Sequence, residues 1–377
     1  MKFVRVKAVA RKEFIHIVRD PRSLGMAIAI PMLLLFLFGY ALALDVDRVR
    51  LMVWDQSQTP ASREFLTYFT GSRYFSLQQY ASGYPELERA LDANEVLVGL
   101  VIPRDFAERA RTRTPLRVQA IVDGSDSNTA TIAMGYLNAI ALAYSNQVLL
   151  EETRRLTGKT PVPPVELRPR VWFNADLESR NYIIPGLTAV IMMVIAALLT
   201  SLTVAKEWEQ GTMEQLISTP VKEAELVVGK LLPYFAIGML DVLLAVLMGT
   251  LVFGVPLRGS VPLLFGVSAV FLAGALSMGL LISIVAKSQL LASQLAMILT
   301  FLPSFLLSGF MYATANMPRA VQIVTYLVPA RYFVALLKGI YLKGVGLDVL
   351  GIHAAMLAAF SGVMIALAIL KFEKRLD

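Results

Sequence analysis

Six long apolar runs, separated by polar segments, dominate the pattern of hydrophobic and polar positions along this chain. They occupy about residues 23–44, 182–204, 231–253, 262–285, 290–312 and 349–370. About twenty residues in an α-helix, at a rise of about 1.5 Å per residue, cross the hydrocarbon core of a bilayer. The pattern therefore predicts a polytopic α-helical membrane protein with six transmembrane helices, the last five of them within residues 180–377.

A different pattern precedes the first run, in residues 1–22. Apolar residues recur there at spacings of three and four: Phe3, Val6, Ala10, Phe14 and Ile17. Basic residues fall largely between them. A helix with this pattern is amphipathic and suited to the headgroup plane of a membrane. We therefore predict a basic amphipathic helix that ends near residue 22.

Residues 45–179, between the first and second runs, differ in character. Short β-rich runs occupy about residues 50–54, 96–102, 116–122 and 166–173. They alternate with helical patterns at about residues 60–70, 85–94, 103–111 and 126–157. Such alternation is typical of an α/β fold. We predict an α/β domain inserted between the first two spans, with a turn and a helix N-cap at Asp126 or Ser127.

One stretch of this domain, residues 129–150, is apolar and long enough to imitate a further span. Polar side chains are spread through it, however, and its larger apolar residues recur every four positions: Ile132, Tyr136, Ile140, Tyr144 and Val148. This spacing predicts an amphipathic helix that packs on the domain. If the stretch spanned the membrane instead, every later segment would change sides.

Lysine and arginine predict the orientation of the spans. With six spans and an inside N-terminus, the short inside segments hold fourteen of these residues and the short outside segments hold five. Basic residues concentrate on the cytoplasmic side, and long domains are translocated largely regardless of charge. We therefore expect both termini and residues 206–228 in the cytoplasm, and the α/β domain outside. Residues 313–345, divided by Pro329, are predicted to form a re-entrant or interfacial helix pair on the outer side.

Composition narrows the chemistry. The chain is 56% hydrophobic and contains no cysteine and only two histidines, which are far apart in sequence. We therefore expect no disulfide, no thiol chemistry and no metal site. The net charge of +7 belongs to the predicted membrane part, because residues 45–179 hold more acidic than basic side chains. Such charge serves orientation and contact with lipid headgroups, so no binding to nucleic acid is expected.

The phosphate-binding loop GxxxxGK[ST] does not occur in the chain, and Gly229-Lys230 lacks both its upstream glycine and its following hydroxyl. This loop is what cradles the phosphates of ATP in P-loop ATPases. The motifs H-E-x-x-H and G-x-S-x-G are also absent. We therefore predict that the chain is not an enzyme and holds no cofactor of its own.

The polar segment between the second and third runs carries clear helix signals. Gly211 breaks the preceding helix, and Thr212 can cap a new one with Gln215 three residues later, as in a capping box. Pro220 would end that helix, since proline lacks the N–H and disfavours helix at the residue before it. We predict a short, sharply bounded helix between two spans.

Asp241 lies near the middle of the predicted third span. A carboxyl group at that depth is costly, so it should face protein or a water-filled cavity. One interpretation is a contact for a cationic substrate or a proton-linked step, and the other is an interhelical hydrogen bond. Both stay open at this point.

Several motifs carry a resemblance to a known family. They are the run from Lys206 to Leu216 with Thr219-Pro220, then Gly229-Lys230 with Pro233, then Asn316-Met317-Pro318 and Pro329-Ala330-Arg331-Tyr332-Phe333. In their order and spacing they resemble the permease subunit of ABC-2-type exporters, in the bacterial multidrug-type branch with a large outer domain after the first span. The resemblance covers essentially the whole chain.

The resemblance implies a permease of the bacterial inner membrane that acts as a homo- or heterodimer with two separate ATP-binding subunits, which bind ATP and Mg²⁺. It implies that residues 1–22 form a connecting helix and that residues 206–228 form a coupling helix. The residues expected to couple to the ATPase are Glu207, Glu209, Gly211, Thr212, Glu214, Gln215 and Pro220. We expect the three glutamates of this set to offer an acidic docking surface.

A substrate path between protomers, lined by the second and fifth spans, is also implied. The candidate residues on it are Met192, Met193, Phe301 and Phe305, to which we add Asp241 from its position alone. The expected function is export of hydrophobic or amphipathic compounds, and a periplasmic adaptor is a further expected partner. The alternatives are an envelope sensor or assembly protein without transport, and an ion-coupled secondary transporter that uses Asp241.

Overall fold

The computed structural model describes residues 2–42, 48–112, 114–158, 170, 172–174, 178–213, 215 and 218–372. The chain divides into two compact units. One comprises Met1–Ala43 with Arg170–Asp377, and the other comprises Leu44–Pro169. The second unit ends before the predicted domain boundary at residue 179.

The elements within the described ranges follow one another along the chain. In order, they are α1 (Phe3–Arg19), α2 (Pro21–Ala41), β1 (Val49–Asp55), α3 (Pro60–Thr70), β2 (Phe75–Tyr80), α4 (Tyr84–Asp92), β3 (Val98–Ile102), α5 (Phe106–Thr112), β4 (Gln119–Val122), α6 (Ser127–Thr157), α7 (Ser179–Glu209), α8 (Glu223–Leu247), α9 (Val261–Ala286), α10 (Gln289–Leu307), α11 (Arg319–Thr325), α12 (Pro329–Lys338) and α13 (Leu347–Lys371).

Five of the described helices are long and apolar enough to cross a membrane. They are α7, α8 with its extension to Val252, α9, α10 and α13, and they correspond to the last five predicted spans. The predicted first span corresponds to α2, of which Ala27–Ala41 forms a shorter apolar helix among the described residues. A count of six spans therefore stays a prediction.

The helices of the first unit pack around α7. In the apolar 18-residue stretch of this helix, 83% of the residues are buried. Two polar contacts join α7 to α9. The hydroxyl of Thr200 donates to the carbonyl of Leu276 at 2.8 Å, and the hydroxyl of Ser283 accepts from the backbone N–H groups of Val204 and Ala205 at 3.0 and 2.9 Å. Small residues and interhelical hydrogen bonds of this kind hold helices together where lipid removes the hydrophobic driving force.

A sharp bend separates α11 from α12. The two helices meet at 84°, and Pro329 is the first residue of α12. Proline is favoured at that position because its missing N–H would have no helical partner there. The break at Pro329 is thus confirmed, whereas the depth of this pair in a membrane stays a prediction.

The second unit contains a four-stranded sheet in the order β2-β1-β3-β4. β1 runs parallel to both β2 and β3, and β4 pairs antiparallel with β3. Three predicted strands correspond to β1, β3 and β4. β2 was missed because Phe75–Tyr80 is half polar. Most of the predicted strand 166–173 lies outside the described residues, and its described residues Arg170, Trp172 and Phe173 are not in a strand.

α6 packs on this sheet unit as the four-residue spacing predicts. Tyr144 lies against Phe65 with ring centroids 4.9 Å apart, and Tyr136 stacks on Tyr74 at 4.3 Å. Ile140 and Val148 also contact the core. Ile132 does not belong to this core, and its neighbour Ala133 lies there instead. The interpretation of residues 129–150 as a packed helix, and not a span, is confirmed for this structure.

The N-terminus of α6 is capped by Asp126, as one of the two predicted alternatives has it. Its carboxylate accepts the N–H of Asn128 at 3.0 Å. The hydrogen bonds from the hydroxyl of Thr129 and from this N–H hold the pKa of Asp126 below its ordinary value. The side chain of Asp123 accepts the N–H of Ser125 at 2.9 Å in the preceding turn. The acidic cluster thus serves the turn and the cap, and no group of potential metal ligands occurs among the described residues.

Candidate functional site

The predicted coupling segment begins where α7 ends. The backbone N–H of Gln210 donates to the carbonyl of Lys206 at 3.0 Å, and that of Thr212 donates to the carbonyl of Glu207 at 3.1 Å. Gly211 between them has a φ of 68°. A glycine in this left-handed conformation satisfies the last carbonyls of a helix and turns the chain away. The predicted break at Gly211 is therefore confirmed.

The hydroxyl of Thr212 donates to the carbonyl of Glu207 at 3.4 Å, at the end of α7. Its predicted role as the cap of a following helix involves residues outside the described ones and stays a prediction. Met213 and Gln215 are helical, and Met213 is buried against Leu226. Glu214 lies outside the described residues.

Glu207 does not face solvent, so its prediction as part of an exposed acidic docking surface is wrong. The residue is 8% exposed. Its Oε2 lies 2.7 Å from the Nζ of Lys230, and its Oε1 accepts from the Nζ of Lys12 at 2.9 Å. The same Lys230 ammonium donates to Oε1 of Glu13 at 2.9 Å. We call Lys12, Glu13, Glu207 and Lys230 the ionic cluster.

The ionic cluster joins three elements. Lys12 and Glu13 belong to α1, Glu207 to the end of α7, and Lys230 to the start of α8. Lys230 is 1% exposed and Glu13 is 6% exposed. Two cations balance two anions, and a buried charge is tolerated only when it is paired in this way.

Two charged residues at apolar positions of the sequence indicate this cluster. Glu13 lies on the same face of α1 as Val6 and Val9, seven and four residues earlier, and all three are buried. A carboxylate on the buried face of an amphipathic helix requires a partner. Lys230 is likewise a charged residue among apolar neighbours in the sequence, and it is the partner that Glu13 requires.

Close packing and a second ionic contact fix α1 against α8. A Cβ added at Gly229 would lie 2.7 Å from the Cβ of Val9, so only glycine allows this approach. Near the start of α1, the backbone N–H of Lys2 donates to Glu225 at 2.6 Å, and the guanidinium of Arg5 lies 3.6 Å from the same carboxylate. Arg5 also donates to the carbonyl of Pro220.

Glu209 differs from Glu207 because it is exposed. Its carboxylate accepts the backbone N–H of Gln289, the first residue of α10, at 2.8 Å. An anion at a helix N-terminus is favourable because the free N–H groups point toward it. Glu209 therefore links the end of α7 to the start of α10, and it shares the exposed surface of this segment with Gln215 and Pro220.

The residues predicted for a substrate path differ in burial. Met192 and Met193 are buried in the core of the helical unit, which makes packing the role that their contacts support. Phe301 and Phe305 of α10 are half-buried and stack on each other at 5.6 Å. Asp241 of α8 is 1% exposed, and its Oδ1 has no hydrogen-bond partner in the described ranges. The predicted interhelical hydrogen bond is therefore not formed by Oδ1 of Asp241 within the described residues.

The turn at Gly211 yields a prediction. Gly211→Ala should weaken the coupling to a separate ATPase that the resemblance implies, because an L-residue in the left-handed conformation costs about 1–2 kcal/mol. A Cβ at this position would meet no atom within 4 Å, so the effect is one of backbone conformation alone. Gly211→Asn is the matched control, since asparagine tolerates this conformation. ATP hydrolysis by that ATPase, stimulated by this chain, should fall for the alanine variant and persist for the asparagine variant. Equal activities would contradict a role for the turn.

Comparison with known proteins agrees with this architecture. Residues 21–370 match the model of the ABC-2 family transporter protein family. The chain is 41% identical to the probable multidrug ABC transporter permease YbhS of Escherichia coli, over 99% of this chain and 98% of that protein. It is 28% identical to the probable multidrug ABC transporter permease YbhR of Escherichia coli, over 92% of each chain. The inner membrane transport permease YhhJ of Escherichia coli is also 28% identical, over 77% of this chain and 76% of that protein.

The family match spans both the long apolar helices and the inserted sheet unit. It also contains the segment from Lys206 to Pro220 and the lysine of α8 that meets it. The 41% identity to YbhS extends over 99% of this chain, the sheet unit included. The chain therefore belongs to the ABC-2 family of transporter proteins.

Proposed function

We propose that this chain is the membrane-spanning permease subunit of an ATP-driven exporter for hydrophobic or amphipathic compounds. The ionic cluster is the observation that carries this proposal. It holds the amphipathic helix α1, the end of α7 and the start of α8 in one body beside an exposed polar segment. A body of this kind can transmit a push from a partner into membrane helices as a rigid-body movement.

The proposed topology has six spans, with α2 as the first. The charge bias of the short segments supports cytoplasmic termini in the bacterial inner membrane. In this topology the sheet unit is extracytoplasmic, α11 and α12 lie near the outer surface, and residues 206–228 are cytoplasmic.

Two copies of a separate ATP-binding subunit are the proposed energy source, and they would bind ATP and Mg²⁺. Their docking surface on this chain is the exposed segment that includes Glu209, Gln215 and Pro220. Glu207 serves as a positioning residue within the ionic cluster, and Glu209 is the acidic group that is exposed for contact. A second permease protomer, identical or related, completes the transporter.

The printed names of the relatives support the substrate class. YbhS and YbhR are each described as a probable multidrug permease. By analogy, the proposed substrates of this chain are hydrophobic or amphipathic compounds. Phe301 and Phe305, half-buried on α10, are the candidate path residues whose stacked rings remain partly accessible.

Glu209→Arg tests the docking surface. The permease would be purified with a separate ATP-binding subunit, and co-purification and ATP hydrolysis would be measured. Charge reversal at an interface that is complementary in charge should weaken the complex at least about tenfold, since like-charge contacts cost several kcal/mol. Gln289→Ala is the control, because it removes a hydrogen bond that Glu209 accepts without changing the charge.

Loss of binding in Glu209→Arg but not in Gln289→Ala supports docking through the carboxylate. Equal losses would assign the effect to the link between α7 and α10. If neither the unsubstituted chain nor the variants bind or stimulate an ATPase, the exporter function is wrong, and an envelope sensor or assembly role gains weight.

A second candidate function rests on Asp241, whose buried Oδ1 has no hydrogen-bond partner among the described residues. A carboxyl group of this kind within a membrane favours a proton- or cation-linked step. In that case, transport should stop when the proton gradient is collapsed at constant ATP. Transport that depends on ATP alone excludes this candidate.

A further inference from the structure

The helix α12 leaves one narrow face accessible. Three of its ten residues, Arg331, Ala335 and Lys338, are half-buried, and the other seven are buried. Positions four and three residues apart lie on the same side of a helix, so these three residues form one stripe, about 10 Å long. We call them the basic face of α12. Between its two cations lies only the methyl group of Ala335.

The guanidinium group of Arg331 is held from one side. It stacks on the ring of Tyr326 at 3.9 Å, and its Nη1 donates to the hydroxyl of Thr325 and to the carbonyl of Gln322. Its Nε and Nη2 donate to no acceptor among the described residues, and neither atom is fully buried. Arg331 therefore presents an oriented edge with two unused donors, which is the geometry that binds two oxygens of a phosphate group.

Lys338, at the other end of the basic face, also has unused donors. Its Nζ donates to the carbonyl of Gly309 at 3.1 Å and lies 4.9 Å from the centre of the Tyr182 ring. An ammonium group has three N–H groups, so one hydrogen bond leaves two of them. Neither Lys338 nor Arg331 forms an ion pair with a described residue. Since half-buried charges are stabilised by pairing, the basic face fits an anionic ligand.

An exposed apolar surface borders the basic face. Ile323 near the end of α11 and Leu327 in the turn to α12 are 69% and 78% exposed, and Val324 and Tyr326 between them are exposed as well. Tyr326 joins the two surfaces, because Arg331 stacks on its ring. Contiguous apolar patches mark contacts with proteins or membranes, and aromatic and basic side chains beside them are typical of the membrane interface. A ligand that covers both surfaces has an anionic group and hydrocarbon chains.

Orientation in the membrane does not explain these cations. In the topology of the proposed function, α11 and α12 lie near the outer surface, where short segments usually contain few basic residues. Basic pockets between membrane helices bind the headgroups of anionic lipids. The phosphate of such a lipid is the anion that is abundant at this depth.

We propose that the basic face of α12 binds the phosphate of an anionic phospholipid in the outer leaflet. Nε and Nη2 of Arg331 donate to the phosphate oxygens, and the acyl chains lie along the apolar surface that contains Ile323 and Leu327. Lys338 opposes zwitterionic lipids, because the ammonium of their headgroup would meet a second cation. The proposal rests on the proposed function for the choice of leaflet.

Quenching of a local fluorophore by brominated lipids tests this site. Leu327→Cys, in a natural chain without cysteine, would be labelled with bimane and the full-length chain reconstituted in phosphatidylcholine vesicles. Phosphatidylglycerol and phosphatidylethanolamine, each with brominated acyl chains, would then be added at equal fractions. Phosphatidylglycerol should bind about fivefold more tightly, the effect of one charge interaction over about 10 Å in a partly wet site.

Substitutions in this labelled chain locate the preference. Arg331→Gln should bring the two lipids to within about twofold, because both charge-assisted hydrogen bonds are lost, and Lys338→Gln should reduce the preference. Arg258→Gln is the matched control, since it makes the same change of charge at an exposed arginine between α8 and α9. Arg331→Lys keeps the charge but lacks the two-donor edge, so it should also weaken the preference, even where the glutamine variant does not fold.

An unchanged preference in Arg331→Gln would overturn the site, and so would an equal loss in Arg258→Gln. Equal quenching by the two lipids in the chain with no further substitution would overturn the choice of an anionic lipid. Inorganic phosphate is the probe for a soluble anion. If it removes the preference more than sodium chloride of equal ionic strength does, a lipid site is wrong.

These measurements use the permease chain alone, without ATP or an ATPase. ATP hydrolysis by a separate ATP-binding subunit is measured in parallel. Stimulated hydrolysis without a lipid preference leaves the exporter function standing and removes the lipid site. A preference that Arg331→Gln abolishes, in a chain that stimulates no ATPase, supports the lipid site and removes the exporter function.

Discussion

Lys230→Met should abolish permease-stimulated ATP hydrolysis and lower the free energy of unfolding by about 3–5 kcal/mol, the usual cost of removing one partner from a buried ion pair. The lysine Nζ lies 2.9 Å from Glu13 and 2.7 Å from Glu207. Without the ammonium group of Lys230, Glu13 loses its ion pair. Among the described residues, Glu207 then keeps the ion pair with the half-exposed Lys12. Thermal unfolding of the purified chain and ATPase assays with the ATP-binding subunit measure the two effects.

A charge-neutral variant separates stability from coupling. Lys230→Met combined with Glu13→Met and Glu207→Met leaves no buried charge at these three positions, and replacing a buried ionic group by hydrophobic residues of similar volume is often neutral for stability. This variant should unfold near the temperature of the natural chain yet remain defective in stimulation, because the three elements are no longer held by charge. Full stimulation by the neutral variant would contradict the positioning role of the ionic cluster.

The break at Gly211 and the bend at Pro329 could be predicted from sequence because both are local. A left-handed turn needs glycine, and proline at the first position of a helix restricts only its neighbours. The spans are similarly local, since twenty apolar residues suffice to indicate them. The N-cap at Asp126 follows the same logic, with its acceptor two residues from its donor.

The burial of Glu207 could not be predicted in this way. Its partner Lys12 is 195 residues distant in sequence, and Glu13 and Lys230 are 217 residues apart. A run of glutamates in a polar segment looks like an exposed acidic surface until the helix that covers one of them is known.

The ionic cluster and the core of α7 form a continuous path. Glu207 is three residues from Val204, whose backbone N–H donates to Ser283 of α9. Thr200, one turn further along, donates to α9 as well. A displacement at the coupling segment therefore reaches α9 through α7 itself, and the tightness of that contact decides how much of the movement is transmitted.

Gly279→Ala should disrupt this contact. A Cβ at Gly279 of α9 would overlap the carbonyl oxygen of Ala197 and the hydroxyl of Thr200, and would lie 2.8 Å from the Cα of Ala197. Backbone atoms cannot move aside as a flexible side chain does, so α7 and α9 must separate. Overpacking of this kind costs about 1–3 kcal/mol and occasionally more. The hydrogen bond from Thr200 to Leu276 should be lost with it.

Gly266→Ala is the matched control on the same helix. A Cβ at Gly266 meets no atom within 4 Å, so replacing glycine by the best helix former should leave stability unchanged or raise it by up to about 1 kcal/mol. Glycine-to-alanine substitutions at two positions thirteen residues apart are therefore expected to change the stability in opposite directions. Thermal unfolding and the yield of monodisperse protein measure the difference, and stimulated ATP hydrolysis should fall only for Gly279→Ala. Equal behaviour of the two variants would mean that close packing of α7 on α9 is not what transmits the movement.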